Sequence, residues 1–487
     1  MITNRNLVTS LNDNLRELNI EFIDCPDIIQ KQVMLKKMKK GCFIFLKDFV
    51  NIDLIQRDFV SPLLTMDCSA LSEKNITEYL PALNNSVCYD INSVVTSVLE
   101  GKTVFLIDES NFAIVCDMVE IEKRSITEPE GEKNVRGSHD GFIESLSINI
   151  TLLRRKIKSN RLKFKYIVLG NITNQSLVIS YIDGIANRKI INDLYNKISN
   201  IKIDGLLSIG HIEELIVDSK YALFPQYITT ERTDKVIGAL LEGKVAVLLD
   251  GTPFALIAPT SFFSFFQAPD DYSSNWIPTT LVRSVRFFSF ITTLTLPGLY
   301  VSITAFQYYL IPLNILVQLG RSRSTVAFPP QVEALLMEFT IQMLKEASIR
   351  LPTYIGTTVG VVGGIIIGQA AVSAGIVSNL FIIIVGIMAI ASYTTPNYEF
   401  GISMIVIRLG ILLMASVFGI VGMITCFSLL LMHLLSLDSL GQPYLMPMMP
   451  LKLNGIKDTI IRAPLQLMKR RSNISKPIRK WRGSKNE

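Results

Sequence analysis

The chain has 487 residues, 49% of them hydrophobic and only 18% charged, against about 25% charged in ordinary globular chains. That length and composition exclude a single small soluble domain and a chain disordered throughout. The net charge of +6 is uneven: Pro450–Glu487 carries 11 Lys and Arg against 2 acidic residues, so a near-neutral body ends in a basic tail, and no nucleic-acid partner is expected.

The N-terminus, MITNRNLVTSLNDNL, is polar and lacks the apolar core of a cleaved signal. Cys25, Cys42, Cys68, Cys88, Cys116 and Cys426 show no C-x-x-C spacing, and His139, His211 and His433 are the only histidines. A zinc site or a thioredoxin-like motif is not expected. Five cysteines scattered before the first membrane span suit a reducing compartment.

Up to about Gly251 the text alternates short β-branched runs with amphipathic stretches, the pattern of an α/β fold. It contains an internal repeat. LEGKTVFLID (Leu99–Asp108) matches LEGKVAVLLD (Leu241–Asp250) at an offset of 142, and Phe112-Ala113 matches Phe254-Ala255 at the same offset. FIFLKDF (Phe43–Phe49) resembles VISYIDG (Val178–Gly184) at an offset of 135. Each copy reads as strand, Asp turn, helix, variable middle, helix, Glu-Gly-Lys turn, strand. The Gly is a helix C-cap and the Lys complements the helix dipole. Two tandem related α/β subdomains are expected, at 1–119 and 120–269. Asp183-Gly184 and Asp250-Gly251 read as turns, and His211 as a capping residue. Arg154, Arg155, Lys156 and Lys158 read as a solvated helix face or a surface for headgroups or a partner.

A membrane domain is expected at 270–449, followed by a basic cytoplasmic tail at 450–487. Phe287–Phe306, Ile355–Ala374, Ile376–Thr395 and Leu409–Met432 each reach the ~20 residues that a ~30 Å hydrocarbon core requires. Arg283 and Arg286 flank the first span, and with the tail they put both ends in the cytoplasm. Arg408 opens the last span, close enough to the interface to snorkel. Between the first two spans lies Gln331–Ile349, with Gln331, Glu338, Gln342, Lys345 and Glu346 on one stripe and Glu333 on the opposite face. It is either an amphipathic helix lying flat on the membrane or a helix inside the bundle whose stripe faces water or a partner.

Gly356, Gly360, Gly364 and Gly368 are spaced by four, a ridge that lets helix backbones approach closely. It serves packing within one chain or between copies around an axis, with the same helix lining a pore. Gln369 is the strongly polar side chain of that span. Val362 is a pore candidate, where Val362→Ala would leak ions. No phosphate-binding loop, dinucleotide fingerprint or nucleophile–base pair occurs, so neither an enzyme nor a cofactor is expected.

Six stretches carry a resemblance. They are Ser125–Ile157 (SITEPEGEKNVRGSHDGFIESLSINITLLRRKI), Thr230–Pro259, Ala268–Phe288, Phe328–Pro352, Gly360–Ser378 and Ser439–Pro450. The chain resembles the GerA family, in particular the A subunit of spore nutrient germinant receptors. The resemblance implies a multipass protein of the spore inner membrane, assembled with a transporter-like B subunit and a lipoprotein C subunit. It also implies self-association into a ring that forms a ligand-gated cation pathway. A non-conducting adaptor or a paralogous auxiliary germination protein is the alternative. The family usually has Pro where this chain has Ser138 and Thr233, so slightly looser turns are expected at both.

Overall fold

The computed structural model describes residues 5–35, 39–62, 85–118, 129, 131–132, 134, 136–351 and 353–483, without the side chains of 58–59, 353–362 and 453–454. The chain divides into two compact units. One holds Met1–Val217, Tyr227–Pro259 and Lys469–Glu487; the other holds Asp218–Gln226 and Thr260–Met468.

The first unit carries two five-stranded antiparallel sheets. In the first, β1 (Ile28–Met34), β2 (Lys40–Leu46), β3 (Asn85–Cys88), β4 (Thr103–Ile107) and β5 (Ala113–Cys116) lie in the order β1-β2-β4-β5-β3. In the second, β6 (Leu162–Leu169), β7 (Gln175–Ile182), β8 (Ile228–Thr230), β9 (Val245–Leu249) and β10 (Ala255–Ala258) lie in the order β6-β7-β9-β10-β8. β4 and β9 are buried at every residue, which is why VFLI and VAVLL read as unbroken apolar runs.

Helices repeat with the sheets. α1 (Leu11–Glu21) and α3 (Leu146–Lys156) start 135 residues apart; α2 (Ile91–Leu99) and α6 (Thr233–Leu241) start 142 apart. Between α3 and α6 come α4 (Arg188–Ser199) and α5 (Ile209–Ile216). Asp108 Oδ1 accepts the Leu11 amide and Asp250 Oδ1 the Leu146 amide, both at 3.0 Å. Asp250 is therefore more than a turn residue, because it holds the start of α3. Asn14 accepts from the Val8 amide and donates to the Val8 carbonyl; Asn149 does the same with Ile143. α2 and α6 end alike. Gly101 (φ 92°) and Gly243 (φ 81°) take the left-handed conformation, their amides bond back to Val98 and Leu240, and the Lys102 and Lys244 amides bond to Ser97 and Ala239. This is a Schellman motif in both copies, and it is what Glu-Gly-Lys encodes.

Other expectations need correction. Arg154 is not on a solvated face, since it is fully buried and forks onto Asp27. His211 is exposed within α5, and Ser208 occupies the cap position. The turns at Ser138 and Thr233 are not loose. Lys156 Nζ donates to Ser138 Oγ (2.7 Å) and Thr233 Oγ1 (3.1 Å) and pairs with Asp140 (2.9 Å). The Ser138 and Thr233 hydroxyls thus converge on one ammonium. The end of the tail is also folded: Ser472 N–H donates to Glu242 (2.8 Å), Arg482 pairs with Glu242 (2.6 Å), and Ile478 N–H donates to the Ile185 carbonyl (2.9 Å).

The second unit is helical: α7 (Trp276–Ala305), α8 (Leu313–Arg323), α9 (Pro330–Arg350), α10 (Thr353–Ser373), α11 (Asn379–Ser392) and α12 (Tyr398–Ser436). α7 and α12 are long and apolar enough to cross a membrane. α7 starts eleven residues before the expected span, at an Asn275 cap whose side chain accepts the Ile277 amide. The span expected at Ile376–Thr395 is a 14-residue helix starting after the Ser378 cap. At 1.5 Å per residue it is about 21 Å long, short of a ~30 Å core. The span expected at Leu409–Met432 is interrupted at Gly419 (φ 59°, ψ −140°). Phe224 stacks on Phe400 while the amide of the preceding residue, Leu223 N–H, bonds His433. A straight helix would hold Phe400 and His433 about 50 Å apart, so the run folds back at Gly419 into a hairpin. A Cβ at Gly419 would meet the Gln307 side chain at 2.8 Å and Phe306 at 3.0 Å.

Candidate functional site: buried charges among the helices

α9 is the element on which the charges gather. Pro330 sits at its N-terminus, where the missing N–H costs nothing. The expected polar stripe on one face is divided among several neighbours. Glu338 is 5% exposed and Arg408 of α12 is 1% exposed. Arg408 Nε donates to Glu338 Oε1 at 3.1 Å, its Nη2 donates to the same oxygen, and Gln342 Nε2 also donates to it at 3.1 Å. Glu338 Oε2 and Arg408 Nη1 are buried with no hydrogen-bond partner. Arg408 therefore does not snorkel; a buried carboxylate turns it inward, because an unpaired buried charge is far costlier than a paired one.

Lys345 points elsewhere, donating to Ser392 Oγ at 2.6 Å and lying 4.5 Å from the Tyr393 ring centroid. Glu346 pairs with Arg350 on an exposed surface, and Gln331 is half-buried. Of the five stripe residues, the fold brings Glu338 and Gln342 together, and Glu338 carries the contact to Arg408.

Glu333, assigned to the opposite face, is fully buried. It accepts from the Ser378 amide (2.6 Å), Ser378 Oγ (2.8 Å) and Arg323 Nη1 (2.7 Å). Arg323 also donates to Tyr300 OH at 2.8 Å. One carboxylate thus ties α8, α9 and the start of α11. The available signal was an acid in an otherwise apolar segment with an arginine ten residues before it.

Arg283 and Arg286 were expected to flank a span, but they lie inside α7. Arg283 is 1% exposed and bonds Asp271 and Asp458, each at 2.7 Å; Arg286 bonds Asp271 at 2.9 Å. Their charges are neutralised locally, so they carry less weight as orientation markers.

In the glycine ridge, Gly356, Gly360 and Val362 belong to the part of α10 whose side chains lie outside the description. A Cβ on Gly363 would meet Leu344 of α9 at 3.2 Å, one on Gly364 the same side chain at 3.9 Å, and one on Gly368 Ile382 of α11 at 3.9 Å. Gly364 and Gln369 are exposed. No metal-binding cluster of His, Cys, Asp and Glu occurs among the described residues.

Comparisons with known proteins find relatives over most of the chain. The family model described as Bacillus/Clostridium GerA spore germination protein matches residues 16–474. Spore germination protein B1 of Bacillus subtilis is 36% identical over 441 residues, 90% of this chain and 91% of that one. Spore germination protein GerQA of Bacillus cereus is 37% identical over 90% of this chain and 88% of that one. The uncharacterized membrane protein YfkQ of Bacillus subtilis is 35% identical over 99% and 94%. A crystal structure of the N-terminal domain of the A subunit of the Bacillus megaterium spore germinant receptor GerK3 covers 53% of this chain and 98% of its own. It is 28% identical, with a TM-score of 0.43. With a family match from residue 16 to residue 474, the chain belongs to the GerA family of spore germination proteins.

Proposed function

We propose that the chain is the A-type subunit of a nutrient germinant receptor in the spore inner membrane, with both termini cytoplasmic. It works with a transporter-like B subunit and a lipoprotein C subunit. Its helical unit assembles with further copies into a ring through which cations pass once nutrient is sensed. Full-length relatives named as spore germination proteins support the role in germination. The observation that carries the conducting role is the Glu338–Arg408 pair with its two unpartnered atoms. Ionisable groups held among apolar helices mark ion paths and gates. The exposed Gly364 and Gln369 on α10 offer a surface with little bulk for a neighbouring copy.

Cation flux through liposomes holding the purified complex tests this reading. Flux is expected with the wild-type chain and is expected to change at least tenfold in Glu338→Gln. A complex that supports germination yet passes no cations, with or without the Glu338 charge, would establish the alternative of a non-conducting adaptor.

A further inference from the structure

Near the end of the chain, Lys469–Arg482 (KRRSNISKPIRKWR) holds seven Lys and Arg and no Asp or Glu. It belongs to the α/β unit, although the residue before it, Met468, belongs to the helical one. A run of like charges is expected to repel itself and stay open in water. Instead it closes into a hairpin. Arg471 N–H donates to the Lys480 carbonyl (2.8 Å) and Arg482 N–H to the Lys469 carbonyl (2.9 Å), with Arg470 bridged to Trp481 between them. Arg471 fastens the mouth from the side. Its Nε donates to the Leu241 carbonyl at 2.7 Å, and its Nη1 to the carbonyls of Arg479 (3.0 Å) and Trp481. The inner turn is anchored as well. Ile474, Ser475 and Pro477 are buried, and Ser475 Oγ donates to the Glu242 carbonyl at 2.8 Å.

The outward side of this hairpin is cationic and apolar at once. Lys469, Arg470, Lys476 and Lys480 are exposed, and none of them forms an ion pair among the described residues. The acid beneath them, Glu242, is taken by Arg482 (2.6 Å) and by the Ser472 amide (2.8 Å). Ile478 is 58% exposed and Trp481 39%. Arg470 Cζ lies 4.6 Å from the Trp481 ring centroid, so a guanidinium covers one face of the ring. Solvation alone accounts for the lysines. It does not account for an outward Ile and Trp among them in a loop that turns Ile474 inward.

We propose that the Lys469–Arg482 hairpin is a docking surface for the anionic headgroups of phospholipids. A headgroup phosphodiester offers a negative charge to each free ammonium, and clusters of about four to eight basic residues beside a membrane attract anionic lipid in this way. The interfacial layer below the headgroups accepts Trp and an aliphatic side chain, which gives Trp481 and Ile478 a place. Single-stranded nucleic acid would need open ring faces to stack on, and Arg470 already lies on one of the two. An acidic protein would answer the charges without using Ile478. The hairpin is closed by its own bonds, so docking costs little further ordering. The inference rests on the reading of the helical unit as a membrane domain, and it adds that the basic tail binds lipid rather than only marking a side.

Trp276 and Trp481 are the two tryptophans of the chain, so Trp276→Phe leaves Trp481 as a single reporter. The purified full chain with that change is incorporated into vesicles of phosphatidylcholine, alone or in equal parts with phosphatidylglycerol, brominated on the acyl chains near the headgroup. Trp481 quenching is expected to be roughly twofold stronger in the anionic vesicles at low salt and to fall to the neutral level at about 1 M salt. Lys476→Gln combined with Lys480→Gln is expected to remove the difference between the two lipids at an unchanged thermal midpoint, and Ile478→Ser to weaken quenching in both. Equal quenching in the two lipids, or a difference that survives the double lysine variant, would overturn the proposal. Quenching abolished by millimolar inorganic phosphate at constant ionic strength would assign the surface to free phosphate instead. Trp481 emission that responds to polyglutamate or an oligonucleotide but not to anionic lipid would assign it to a protein or a nucleic acid. In each of these cases a chain that still floats with the vesicles leaves the membrane reading standing, and a chain that floats with neither lipid would overturn both.

Discussion

Arg154 and Asp27, far apart in sequence, form a two-pronged ion pair inside the α/β unit, with Nε and Nη2 of one side chain at 2.9 and 3.0 Å from the two carboxylate oxygens of the other. Arg154 is fully buried and its remaining donors reach the carbonyls of Ser159 and Leu162. Removing one partner strands a buried charge, which costs about 3–5 kcal/mol. Asp27→Asn and Arg154→Met are each expected to lower the thermal midpoint of the detergent-solubilised chain, and the double variant to lose less than the two losses added. Additive losses in that double-mutant cycle would contradict the pairing.

Gly419 occupies a backbone region open almost only to glycine, and its missing Cβ faces Gln307 and Phe306. Gly419→Ala is expected to cost about 1–3 kcal/mol from backbone strain alone. Circular dichroism melts of the purified chain would measure it. A melt unchanged within error would mean that the run is not folded back at this residue.

The Lys156 clasp predicts a dependence on acid. The hydrogen bond from Lys156, aided by Ser138, holds the Asp140 carboxyl below its ordinary value. A depressed carboxylate adds stability that is present above the usual carboxylate range and lost as pH falls through the lowered value. The stability difference between wild type and Lys156→Met should be constant above about pH 5 and shrink below about pH 4. Urea melts across that range would show it, and a difference that grows on acidification would reverse the assignment.

Cys42 and Cys116 are fully buried. Burial pushes the Cys42 thiol up to about 11 and the Cys116 thiol up as well. The thiolate is the reactive form, so both should resist maleimide at pH 7.5 in the folded chain and label after denaturation. Mass spectrometry of labelled peptides reads this directly, and rapid native labelling of either would show that the sheet around it opens.

Gly364 is exposed on α10, with Leu344 Cδ2 3.9 Å from the site of a Cβ. Gly364→Leu is expected to abolish nutrient-triggered potassium release while the chain still accumulates with its partners. Spores that respond normally would remove the close approach of helices at this position from the account.

The α/β half was largely legible because its signals are local. An apolar run of four or five residues announces β4 and β9, and Glu-Gly-Lys announces a left-handed cap; both follow from neighbours along the chain. The repeat was legible for the same reason, and the equivalent Asp108 and Asp250 appear in both copies of the pattern. The charged residues of the helical half were not. Glu338 and Glu333 lie on the same helix, and helical periodicity placed them on different faces without saying what each face meets. Arg408 is 70 residues from Glu338 and Ser378 is 45 from Glu333. Only packing chooses such partners.

The residues by themselves determined the repeat, the mixed sheet-and-helix character of the first half, the apolar helices of the second, and the family, since each depends on composition or short-range order. Tertiary structure decided which charges are neutralised, where the last helical run folds back, and that Asp218–Gln226 and Lys469–Glu487 each pack away from their neighbours in sequence. The physical reason is that a buried charge or a buried aromatic ring takes its partner from whatever the fold brings near. That choice is made across tens to hundreds of residues, beyond the reach of any local pattern.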